Sequence, residues 1–306
     1  MIQFKAFHFK FIQRMWFFMA LSALAVAGSL FLMATKGLNF GTDFKGGIKL
    51  QYQFASKISE GDLRQSLTSL GIGDFSVQKI GTSEGNRFVV KIEKEEGIEG
   101  ISGKVTEQIR KDLKEKGEGM TLEQEETVGP KAGADLRKKA QLAIIISWLL
   151  ILIYIGYRFD FAFAPGAIIA LIHDVLITVG AFALSGREVS ITVVAALLTI
   201  TGYSINDTIV IYDRIREELP KFQKVPLREL INKSINDTFS RTIITNFTVL
   251  LVVVLMYLFG EGEFQNFGFA MVVGAISGTY STIFIASPCY ILIKEYGPRV
   301  RKFFKK

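Results

Sequence analysis

Six runs of about twenty apolar residues constrain this chain more than any other feature. Each is long enough to cross a hydrocarbon layer about 30 Å thick as a helix. They fall at about Met15–Thr35, Ala140–Tyr157, Phe161–Leu184, Val189–Tyr212, Thr242–Phe259 and Phe267–Ile293. The predicted class is therefore an α-helical polytopic membrane protein with six transmembrane helices. Composition agrees, since 49% of the 306 residues are hydrophobic and 26 are Phe, which lies outside the usual soluble range. The first run has a basic arm before it, and Ala25-Val26-Ala27 mimics a leader-peptidase site. Apolar residues continue to Met33, so that site would be buried within the run, and a retained anchor is expected.

The net charge of +7 would suggest nucleic acid in a soluble protein, but here the excess sits at membrane flanks and no nucleic-acid partner is expected. Basic residues gather in the arm (Lys5, Lys10, Arg14), between Arg214 and Arg241, and in the tail from Lys294, whereas charges nearly cancel between Lys36 and Lys139. Short cytoplasmic flanks hold the Lys and Arg excess. Both termini are thus expected on the cytoplasmic side of the membrane. The division that follows is a cytoplasmic arm (1–14), a first helix (15–35), a periplasmic domain (36–139), helices two to six (140–293) with a cytoplasmic loop near 213–241, and a basic cytoplasmic tail (294–306).

The outer segment reads as a small α+β domain. Gly47–Phe54 alternates apolar and polar residues as a half-buried strand does. Ser59 is a suitable N-cap for a helix over Gly61–Leu70, with Asp62 in its first turn. Phe75–Ile80 and Phe88–Ile92 pair across Gly81–Gly85, Ile98–Lys116 carries Ile101, Val105, Ile109 and Leu113 at helical spacing, and Thr121–Val128 closes the order. Strand, helix, strand, strand, helix, strand is the split βαβ pattern of ferredoxin-like folds.

No metal-ligand spacing, nucleotide loop or nucleophile elbow is present, so no catalytic, cofactor or metal site is expected. The only histidines are His8 and His173, and the lone Cys289 lies in an apolar run. The informative residues are ionisable groups within spans, where an Asp at the centre costs about 2.5–3.5 kcal/mol on insertion scales. Asp207 is set among Gly202, Ser204, Asn206 and Thr208, a polar stretch in which an acid can exchange a proton or bond across helices; the residues leave both readings open. Arg241, at the expected start of the fifth span, has Thr242 and Asn246 beyond it, and is read either as a partner reaching toward Asp207 or as a snorkelling anchor. Asp213-Arg214 is expected to form an interfacial ion pair. Asp174, beside His173 in the third span, is expected to bond between helices. Gly274 and Gly278, with Ser277 and Ser281 beside them, form a small-residue stripe for close helix approach. Gly41-Thr42-Asp43-Phe44-Lys45-Gly46-Gly47 lacks the Lys-Ser/Thr of a phosphate loop and is read as a tight connection into the first strand.

Taken in order, Leu38–Gly47, Val128-Gly129-Pro130-Lys131-Ala132-Gly133, His173-Asp174, Gly202–Glu217 (GYSINDTIVIYDRIRE) and Ser240-Arg241-Thr242 resemble the SecD/SecF family of the bacterial Sec export machinery, relatives of the RND transporters. The resemblance is to the SecF type and covers nearly the whole chain. It implies an RND-like half bundle that pairs with a SecD-like subunit into a twelve-span unit, works beside the SecYEG translocon on exported unfolded polypeptides, and uses H+ as coupling ion. It also implies that Asp207 is the proton-carrying acid and that Arg241 is coupled to it, with Asn206, Thr208, Ser204, Asp174 and Asn246 as polar support. Two alternatives stand beside this: half of an RND-type exporter of lipids or small molecules, against which the short outer segment argues, and a structural assembly subunit that moves no ion.

Overall fold

The computed structural model describes residues 9–80, 86–93, 100–114, 119–221 and 224–303. After a 3-10 turn, α1 (Met15–Thr35) leads through a short strand β1 (Asn39–Phe40) and one helical turn, α2 (Thr42–Lys45), into a domain of β2 (Gly47–Phe54), α3 (Glu60–Thr68), β3 (Asp74–Ile80), β4 (Arg87–Glu93), α4 (Ile101–Leu113) and β5 (Met120–Val128). The bundle then follows as α5 (Pro130–Arg158), α6 (Ala164–Ser185), the short strand β6 (Glu188–Val189), α7 (Ile191–Glu218), α8 (Leu227–Phe259), α9 (Gly262–Ser281), a π turn (Thr282–Ala286) and α10 (Ser287–Phe303). Among the described residues six stretches are long and apolar enough to cross a membrane: Ile12–Thr35, Pro130–Arg158, Ala164–Ser185, Ile191–Glu218, Leu227–Phe259 and Gly262–Tyr296.

The four-stranded sheet has the order β3-β4-β2-β5, antiparallel throughout, which is the ferredoxin-like arrangement. Alternation along β2 buries Ile48, Leu50, Tyr52 and Phe54, over which Leu63 and Leu67 of α3 and Val105 and Ile109 of α4 close the core. Ser59 caps α3 as expected. Its hydroxyl accepts the Asp62 amide at 3.1 Å while the Asp62 carboxylate accepts the Ser59 amide at 3.2 Å, a reciprocal box that satisfies two orphan donors. The turn expected at Gly81–Gly85, the outer ends of the second helix (Ile98, Lys116) and the residues Lys5, His8, Lys305 and Lys306 lie outside the described residues.

Helices outrun the spans expected for them, α5 and α8 furthest. α5 starts at Pro130, behind extended Gly129, where a proline without an N–H is suited to the first turn. Lys131, Arg137, Lys138 and Lys139 end the apolar run without ending the helix. For the same reason α8 begins at Leu227, and the segment expected as a loop near 213–241 is helical up to Glu218 and again from Leu227. Apolarity marks the hydrocarbon layer, not the helix ends.

In the bundle, α6, α7 and the last span form the centre, about half of each apolar window being buried, whereas α1, α5 and α8 lie at the periphery. Close approach at the centre depends on missing side chains. A Cβ on Gly274 would stand 2.3 Å from Ile200 Cδ1, and one on Gly278 would stand 3.0 Å from Ser204 Cβ. The small-residue stripe of α9 therefore packs on α7 of the same chain.

The sheet domain is seated on the bundle as well as tethered to it. β1 and β6 pair in parallel, Asn39 with Glu188 and Phe40 with Val189. Lys49 of β2 bridges Glu263 of α9 at 2.7 Å, and Glu263 also accepts from Thr192 of α7 at 2.6 Å. Lys91 of β4 pairs with Glu188. Gly46 and Gly47 make the entry to β2 possible: both have φ in the left-handed range (+85° and +144°), and their Cβ atoms would lie 2.8 Å from Pro130 Cα and 2.2 Å from Ile92 O.

Candidate functional site

Asp207 sits on the side of α7 that faces α8 and is 4% exposed. Its Oδ2 accepts from Asn246 Nδ2 at 2.5 Å. That amide is itself held, since its Nδ2 also donates to Thr242 O at 2.9 Å and its Oδ1 accepts from Tyr203 OH at 2.8 Å. A neutral, oriented donor thus binds the acid, and among the described residues no cation pairs with it. Arg241 lies just over one helical turn before Asn246 on α8, near enough for its charge to act on Asp207 but exposed and outside ion-pair range. Thr242 Oγ1, between them, is buried and has no hydrogen-bond partner among the described residues.

Arg241 borders a cavity of about 1140 Å3 at the end of the bundle away from the sheet domain, shared with Lys10, Trp16, Asn232 and Asn236 and reaching Val210. Val210 is one turn beyond Asp207, so the cavity extends to within a turn of the acid.

The other expected residues divide into separate groups. Ser204 faces α6 and α9, where it donates to Asp174 Oδ2 at 2.7 Å; Asp174 is fully buried and also accepts from Ser277 and Ser281 of α9 at 2.6 and 2.8 Å. Thr208 meets Thr282 of the π turn at 2.9 Å. Asn206 is exposed on the outer face of α7 with Thr199 and Gly202. Only Asn246, of the supporting set, touches Asp207. The expected Asp213–Arg214 pair does not form, because consecutive residues on a helix do not face each other. Arg214 instead pairs with Asp237 at 2.6 Å, Glu217 at 3.3 Å and Glu218 at 3.4 Å, and buried Glu218 also takes Lys233 at 2.7 Å. At the same end of the bundle, Lys294 beside Asp160 holds that carboxyl below its ordinary value.

Tyr203 is not among the candidate residues that the sequence marks. Tyr203 stands four residues before Asp207, the spacing that puts two side chains on one helix face, which is the signal that would have found it. The spacing of Ser277 and Ser281 marks a packing stripe, and a hydroxyl pair at helical spacing that faces a buried acid is also a donor set.

These features define a multi-pass helical membrane protein: a six-span bundle with a ferredoxin-like domain seated on one end and two buried carboxylates at its centre. Residues 108–296 match the family described as "Protein export membrane protein SecD/SecF, C-terminal", and residues 31–58 match the SecD/SecF GG motif. Gly46 and Gly47 supply that glycine pair. The chain belongs to the SecD/SecF family of protein export membrane proteins. It is 41% identical to the protein translocase subunit SecF of Calditerrivibrio nitroreducens, covering 92% of this chain and 93% of that one, and 40% identical to the SecF of Desulfurispirillum indicum, covering 96% and 93%. Among solved structures it is similar to SecDF of Thermus thermophilus, described as a translocon-associated membrane protein, with a TM-score of 0.81 and 34% identity over 94% of this chain. The chain spans 39% of the length of that SecDF chain.

Proposed function

We propose that this chain is the SecF-type half of a proton-driven export motor in the bacterial inner membrane, paired with a SecD-like chain and coupling proton flow to the movement of secreted polypeptides through a SecYEG channel. The observation that carries the reading is Asp207, a buried carboxylate held by one neutral amide, with Arg241 nearby and no cation paired to the acid among the described residues. An acid locked into an ion pair is a bridge between helices. An acid with a single neutral donor and a cation at a distance is free to exchange a proton, and the cavity that reaches Val210 brings water near it. If Arg241 approaches Asp207 in one arrangement of the bundle and not in another, proton affinity differs between the two, and by linkage proton entry and exit drive the cycle.

A partner is supported by the outer face of α7. Thr199, Gly202 and Asn206 are exposed there, and small and polar residues in hydrocarbon favour a second helix over lipid. The Lys and Arg distribution supports a cytoplasmic location for both termini and the cavity, with the sheet domain outside.

The test is Asp207→Asn, which keeps size and hydrogen bonding but cannot ionise. Gradient-dependent export in reconstituted vesicles should be lost while the complex with the SecD-like chain is recovered intact. Normal export under a full proton gradient would overturn the carrier role and leave Asp207 as a bridge between helices.

A further inference from the structure

Asp174 is more completely enclosed than Asp207, at 0% exposure, and its carboxylate meets donors from three helices. Oδ1 accepts from Ser277 Oγ at 2.6 Å and lies 3.1 Å from His173 Nδ1; Oδ2 accepts from Ser204 Oγ at 2.7 Å and Ser281 Oγ at 2.8 Å. An ionised carboxylate offers about four acceptor sites, so this shell is complete when Asp174 is charged. Among the described residues no Lys or Arg pairs with it.

The shell is also ready for a proton. A protonated carboxyl turns one acceptor site into a donor, so one hydroxyl has to accept from it and send its own hydrogen elsewhere. Ser281 can do this, because its hydroxyl has a second acceptor in Gly278 O at 3.2 Å, while His173 Nδ1 keeps its hydrogen toward Asp174 Oδ1. The centre therefore has two arrangements, one charged and one neutral, that leave no group unsatisfied. What changes between them is the grip on α7: the Ser204 bond is charge-assisted when Asp174 is ionised, and such bonds are roughly twice as strong as neutral ones. Ser204 is one turn from Asp207, so the helix that carries Asp207 is held to α6 and α9 through the charge on Asp174.

We propose that Asp174 is a second proton-binding residue of this protein, a positioning residue that tightens or slackens α7 through Ser204. Its influence on export rests on the proton-driven reading above; its own protonation does not. Among the described residues the titratable groups around it are few. They are His173 on α6, Asp207 and Tyr203 on α7, Tyr280 of α9, whose ring stacks on His173 at 6.0 Å, and Cys289 of α10. α1 and the π turn carry none, and α5 carries its ionisable residues at its two ends.

Infrared difference spectra of the complex in vesicles, taken across pH, test the proposal. A carboxylic C=O band that titrates is expected in the wild type and in Asp207→Asn, and is lost in Asp174→Asn. Ser204→Ala, which leaves the acid in place, should move the pH at which the band titrates and shift the pH profile of export in the same sense, and Asp174→Glu should restore the band. A spectrum unchanged by Asp174→Asn, or a Ser204→Ala variant that lowers export equally at every pH with the band unmoved, would overturn the proposal. Normal export by Asp207→Asn would remove the link to transport and leave the Asp174 band standing.

Discussion

Asp43 accepts the backbone amide of Ile191 at 2.9 Å, so the connector ahead of the sheet domain caps the helix that carries Asp207. Each helix start leaves four amides without an internal partner and carries partial positive charge, and a carboxylate answers both. Asp43→Ala should lower the stability of the chain by about 1 kcal/mol, and Asp43→Asn by only a few tenths, since an amide still accepts. Thermal melts of the purified complex measure both. An Asp43→Ala protein that melts with the wild type would show that the cap contributes nothing.

The alkaline limit of the sheet domain should be set in part by Tyr52. Burial pushes its phenol up to about 12, with the Thr106 hydroxyl working the other way. A raised value in the folded state means that the stability it contributes is complete below the unfolded value near 10 and is lost as pH rises through about 12. Tyr52→Phe removes the 2.9 Å bond to Thr106, which costs about 0.5–1.5 kcal/mol at neutral pH, and should flatten the decline over that window. Amide exchange along β2 between pH 9 and 12, compared in the two proteins by quench-flow, reads it as a difference.

Gly274 and Ile200 test the contact between α9 and α7. Gly274→Ala should destabilise the bundle by about 1–3 kcal/mol, because the methyl group overlaps a side chain in a filled core. Ile200→Ala on its own leaves a cavity and costs about 2–5 kcal/mol, yet the two together should cost less than their sum. Complex recovery and melting of the four proteins give the coupling, and strict additivity would show that the two residues are not in contact.

Arg241→Lys keeps the charge and loses the planar fork. If the guanidinium bonds Asp207 in one arrangement of the bundle, export should fall by roughly tenfold, equivalent to one charge-assisted bond of about 1.5 kcal/mol. Proton-driven export by the purified complex measures it. A rate equal to wild type would make Arg241 an anchor at the membrane surface.

The sequence is most legible where a single period decides. The alternation in Gly47–Phe54 marks β2 to the residue, and Ser59 with Asp62 marks the start of α3, because backbone geometry imposes both patterns. It is least legible where three helices meet. Ser204 and Asp207 are one turn apart and form one polar setting in the sequence, yet Ser204 bonds toward α6 and Asp207 toward α8. Which way each of two neighbours on a helix turns is decided by which helix packs on which side, and no one-dimensional pattern carries that. The same holds for Gly274 and Gly278. Their spacing announces a close approach, but not that α7 of the same chain is the helix approaching.

The π turn at Thr282–Ala286 has a consequence for how the last span divides its faces. A π turn accommodates one residue more than an α turn, and one residue is about 100° of rotation. Ser287 Oγ reaches back five residues to Thr282 O at 3.0 Å, and the carbonyl of Ala286 accepts from Tyr212 OH at 3.1 Å. Before the turn, Ser277 and Ser281 point at Asp174; after it, Tyr290 stacks flat on Phe163 at 3.9 Å. The span is two helices cut to different phases and joined in one rod, and deleting a single residue from the turn should put one half out of step with its neighbours while leaving hydropathy and length almost untouched.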